Sequence, residues 1–126
     1  MAQKGIEKGD AGLTLREVAE ELKARIYCGE EHLSNRCSKV AAADLMSDLL
    51  RIPVDHVVLL TGLNSVQAVR TCVLINMRAM ILVRGKEPSQ DVIEEARKYG
   101  LPLMSTKFSL FTSCGRLYAR GLSGLP

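Results

Sequence analysis

Three short stretches concentrate the residue types that hold an anion. Thr61-Gly62-Leu63-Asn64-Ser65, Arg84-Gly85-Lys86 and Ser105-Thr106-Lys107 each follow an apolar run, and the segments after the first two read as helices. Together they offer hydroxyls, backbone N–H groups at two helix N-termini, and the cations Arg84, Lys86 and Lys107, chemistry suited to a phosphate or carboxylate. The ligand-binding residues so selected are Thr61, Gly62, Asn64, Ser65, Arg84, Lys86, Thr106 and Lys107. A plainer account has Thr61, Asn64, Ser65 and Thr106 capping helices while the cations are solvated. Caps occur in nearly every helix and no glycine-rich phosphate signature is present, which favours that plainer account.

The other reactive side chains are scattered. Cys28, Cys37, Cys72 and Cys114 form no CxxC pair and lie at no zinc-binding spacing from His32 or His56, so no metal is expected. Cys72 and Cys114 fall on apolar helix faces and read as small core residues. Cys28 and Cys37 lie on what read as adjacent strands, where they either form a redox pair or stay buried and reduced. Neither histidine has a nucleophile or carboxylate at a recognisable catalytic spacing. Asp44 and Asp48 are one helical turn apart, as on a solvated acidic face. No catalytic residue and no cofactor is expected.

A chain of 126 residues suits one domain with its own core. Its net charge of +3, with no basic run interleaved with aromatics, argues against nucleic acid and allows only mild attraction to small anions. No apolar run approaches the roughly twenty residues of a membrane span. The polar start, without a signal-peptide pattern, and the unpaired cysteines make a cytoplasmic protein the expectation.

The elements that must position the three stretches follow from periodicity. Val57–Leu60, Met80–Val83 and Leu103–Ser105 are short apolar runs bounded by polar residues, Gly or Pro, and read as strands. About twenty residues separate consecutive runs, which is βαβ spacing for a parallel sheet, with right-handed crossovers placing both helices on one face. The first of those helices carries Val66, Val69 and Val73, capped by Asn64 or Ser65. The second carries Val92, Ile93, Ala96 and Tyr99, with Pro88 at its first position and Gly100 as its left-handed stop.

Upstream, residues 1–12 read as a tail. Thr14-Leu15-Arg16-Glu17 matches a capping box, opening a helix with Leu15, Val18, Ala19 and Leu22 on one stripe. A strand over Arg25–Cys28, a polar connection over 30–36, a strand over Ser38–Ala42 and a helix over Leu45–Leu50, capped by Asp44 and closed by Pro53, complete that half. A last helix, Phe108–Arg120, carries Phe111, Cys114, Leu117 and Tyr118, before a tail at 123–126. The expected fold class is α/β: a single three-layer domain over residues 13–122 with a largely parallel central sheet.

Thr61-Gly62, the run from Met80 to Pro88, Val92-Ile93-Glu94-Glu95-Ala96 and Gly100-Leu101-Pro102-Leu103 resemble the DRTGG domain, a small α/β module. Thr14–Leu50 is similar to the opening helix and strands of the N-terminal domain of HPr kinase. Leu63 and Asn64 replace the family's more polar or glycine-rich continuation after Thr-Gly. A GxxxxGK[ST] loop, which kinase chemistry needs, is absent. The resemblance implies a non-catalytic regulatory or adaptor domain, working with itself as a homodimer or with a larger enzyme. The alternative is a sensor that binds a nucleotide or another small anionic ligand at the strand ends.

Overall fold

The computed structural model describes residues 12–50 and 55–125. Along the chain these form β1 (Leu13–Thr14), α1 (Leu15–Leu22), β2 (Arg25–Cys28), a 3-10 turn (Glu30–His32), β3 (Arg36–Cys37), β4 (Lys39–Ala42), α2 (Met46–Leu49), β5 (Val57–Thr61), α3 (Val66–Leu74), β6 (Ala79–Leu82), α4 (Gln90–Tyr99), β7 (Leu103–Ser105), α5 (Leu110–Ala119) and β8 (Ser123–Gly124). The expected N-terminal tail, up to Ala11, and the stop at Pro53 lie outside the described residues.

β5, β6 and β7 are buried at every position, as strands covered on both faces must be. They form the middle of a six-stranded sheet ordered β2-β7-β6-β5-β4-β8, while β1 and β3 make a separate two-stranded ribbon. β4 through β7 are parallel, with Val40 opposite Val58, Leu59 opposite Met80 and Ile81 opposite Met104. β8 is parallel to β4, and β2 is antiparallel to β7. Alternate residues face opposite layers. Val58, Leu60, Ile81 and Met104 pack with Leu15, Val18 and Leu22 of α1 and Leu117 of α5. Leu59, Met80, Leu82 and Leu103 pack with Val69 and Cys72 of α3 and Val92 and Ala96 of α4. The three-layer α/β fold and the shared face of α3 and α4 are therefore as the sequence implies. No helix among the described residues is long and apolar enough to cross a membrane.

The helix ends follow local chemistry. Thr14 Oγ1 accepts from Glu17 N at 3.1 Å, and Glu17 Oε1 accepts from Thr14 N at 2.9 Å, completing the capping box. Ser65 Oγ accepts from Ala68 N at 3.1 Å, so Ser65 rather than Asn64 caps α3. Gly100 stops α4 at φ 70°.

Several expectations are corrected. Pro88 is not the first residue of α4, which starts at Gln90. Asn64 donates to Glu87 O at 3.0 Å and accepts from Ser89 N at 3.1 Å, and this clamp holds the approach extended. α2 spans only Met46–Leu49, and Asp44 does not cap it because its carboxylate is bonded to β5 and the loop beyond. The connection over 30–36 contains a 3-10 turn and the start of β3. The C-terminal segment begins not as a tail but as β8, where Ser123 N donates to Ser38 O at 3.2 Å. α5 buries Ser113 and Leu117 against the rest of the domain, while Phe111 and Tyr118 face outward.

Candidate functional site

The C-terminal ends of the parallel strands converge on Gly62. Its N–H donates to Asp44 Oδ1 at 2.8 Å, and the Thr61 hydroxyl donates to the same oxygen at 3.2 Å. Lys86 Nζ donates to Gly62 O at 2.6 Å. A Cβ on Gly62 would stand 3.1 Å from Arg84 Nη2 and 3.5 Å from both Lys86 Nζ and Asp44 Oδ1. One backbone segment thus carries a carboxylate, a guanidinium and an ammonium around it, a local excess of positive charge. The turn that supplies the cations is fixed through its backbone. Arg84 N donates to Phe108 O at 2.8 Å and Gly85 N to Thr106 O at 2.9 Å, with both residues at positive φ, 62° and 73°.

Of the residues selected from the sequence, the structure brings together Thr61, Gly62, Arg84 and Lys86. Asn64 and Ser65 are committed to the clamp and the cap described above. Thr106 is buried, and its hydroxyl donates to Leu22 O at 2.7 Å and accepts from Phe108 N at 3.2 Å, so it ties α1 to the loop after β7. Lys107 is exposed and makes no ion pair among the described residues. Asp44 is the residue that sequence reasoning missed. Its signal was position, immediately beyond a strand neighbouring β5, where ligand loops of parallel sheets gather.

Beside this cluster an open groove of about 850 Å³ runs between the end of β4 and α5. Asp44 and Asp48 stand among its lining residues, with Phe111, Cys114, Tyr118 and Leu125. Phe111 is 87% and Tyr118 74% exposed, which marks this rim as an uncovered aromatic patch.

The four thiols are free, and no group of three or more His, Cys, Asp or Glu residues among those described could hold a metal ion. Cys28 and Cys37 are not on adjacent strands: β2 edges the main sheet, β3 belongs to the ribbon, and the two sulfurs sit in different core layers. Burial raises all four thiols above their ordinary value, Cys37 and Cys72 to about 12, which disfavours the reactive thiolate at each. His56 Nδ1 lies 2.8 Å from Asp55, and His32 lies 3.6 Å from Glu31.

The family model described as the DRTGG domain matches residues 17–119, and the chain belongs to that family. Its fold is similar to the CBS and DRTGG domains of the regulatory region of a Clostridium perfringens pyrophosphatase, in a structure complexed with the activator diadenosine tetraphosphate. The TM-score is 0.67 at 20% identity, over 86% of this chain and 47% of that one. This chain therefore spans about half the length of that structure. No curated protein sequence matches it.

Proposed function

We propose that this DRTGG domain is a non-catalytic regulatory module of the cytoplasm that works by docking, with a second copy of itself and beside a larger enzyme. Family membership and the regulatory setting of the pyrophosphatase relative support this reading. The observation that carries it is the exposure of Phe111 and Tyr118 on the rim of the α5 groove. Covering one such ring is worth roughly 1.5–3 kcal/mol before the costs of association. A twofold contact through this patch would let the same residues serve both copies. Multi-angle light scattering tests it: the wild-type chain is expected as a dimer, and Phe111→Ser with Tyr118→Ser as a folded monomer. A wild-type monomer at every usable concentration overturns self-association.

The convergence of Arg84 and Lys86 on Gly62 favours a second reading, in which the strand ends sense a small phosphate-bearing anion such as a nucleotide. ATP or pyrophosphate is then expected to raise the melting temperature by mass action. Arg84→Ala is expected to abolish the shift, and no shift in the wild-type chain removes the reading.

A further inference from the structure

We propose that the Asp44 carboxylate is a resident anion that occupies the ligand position at the strand ends, and that a phosphate-bearing ligand binds by displacing it. The inference rests on the anion-sensing reading. The Gly62 N–H and Thr61 hydroxyl both donate to a single oxygen, Asp44 Oδ1, at 2.8 and 3.2 Å, as they would to a phosphate oxygen. Arg84 Nη2 and Lys86 Nζ stand on the same glycine, 3.1 and 3.5 Å from a Cβ built on Gly62 that would itself lie 3.5 Å from Asp44 Oδ1, close enough to reach a larger anion there.

Asp44 itself comes from outside the loop. It sits on the short connection from β4 to α2, where Ala43, Asp44 and Leu45, with Asp48 of α2, also line the α5 groove. A phosphate carries more charge and more acceptor oxygens than a carboxylate, so it competes for these donors. Expelling Asp44 moves the β4–α2 connection and with it one wall of the groove. Anion binding at Gly62 is thereby coupled to the docking surface around Phe111 and Tyr118, and by linkage each event biases the other.

Inorganic pyrophosphate titrated calorimetrically into the full chain tests this. Asp44→Asn keeps the shape and removes the competing charge, and it is expected to bind pyrophosphate at least tenfold more tightly than wild type. Asp48→Asn removes a charge from the same groove wall without touching Gly62, and its affinity is expected to stay within twofold of wild type. In amide spectra the Gly62 resonance is expected to shift on Asp44→Asn and to shift back on adding pyrophosphate, a readout independent of affinity. Equal affinities for wild type and Asp44→Asn, weaker binding by Asp44→Asn, or equal tightening by Asp48→Asn each overturn displacement while leaving the anion site standing. Binding to neither wild type nor Asp44→Asn overturns both.

Discussion

Arg84 holds a left-handed backbone, φ 62°, that a glycine adopts without steric penalty. Arg84→Gly is therefore expected to gain about 0.5–1 kcal/mol of stability in urea unfolding while losing the guanidinium beside Gly62. A variant that is more stable yet blind to pyrophosphate would separate the cost of this conformation from its use. Thr106 behaves in the opposite way. Its buried hydroxyl serves Leu22 O and Phe108 N, so Thr106→Val is expected to cost about 1–3 kcal/mol and leave pyrophosphate titrations unchanged. From the sequence, Thr106 and Arg84 look alike, two polar residues after apolar strands. What separates them is the direction of a side chain after packing, which residue type does not encode. For Asp44 the position was readable but the contact was not, since its partner Gly62 is eighteen positions away.

At the scale of elements, legibility tracks how local the cause is. The capping box of α1 and the Gly100 stop are short-range signals and are read correctly, while the α3 cap was narrowed to Asn64 or Ser65, of which Ser65 is the cap. α2 and the start of α4 are set by contacts from distant loops, Asp44 to β5 and Asn64 to residues 87 and 89, and they shift accordingly. α1 also carries two carboxyls held below their ordinary value of 4.5: Glu17 by the backbone N–H of Thr14, and Glu21 by hydrogen bonding to Arg120, with Arg116 adding attraction across to α5. A carboxyl whose folded value lies below its unfolded one stabilises the fold above the unfolded value, and that contribution is lost as pH falls through the folded one. Urea midpoints are therefore expected to hold steady from pH 7 to about 5 and to fall below pH 4.5. The double variant Glu17→Gln, Glu21→Gln is expected to show a smaller acid-induced drop. An unchanged slope would assign the acid sensitivity to other carboxyls.

Across the whole molecule, one buried sheet separates two apolar layers, with Cys37 in one and Cys72 in the other. Both thiols are pushed up to about 12 by burial, so labelling at pH 8 requires that their layer open. With Cys28 and Cys114 replaced by Ser, the two are expected to react with one shared rate that follows global unfolding. Distinct rates would show that the α1–α5 layer and the α3–α4 layer come apart separately. The parallel middle of this sheet was legible because full burial leaves unbroken apolar runs. The antiparallel addition of β2 and the two-residue β8 were not, because edge strands carry no such pattern.

Those margins have a consequence for how copies of the domain coexist at high concentration. One border strand is four residues long and interrupted by a register shift between Ile26 and Cys28, and the other offers two residues. Neither is a usable template for a neighbouring backbone. Crowded molecules are thus steered away from ribbon-like fibres, and any assembly must stop at a contact made by side chains, where single substitutions can tune or abolish it.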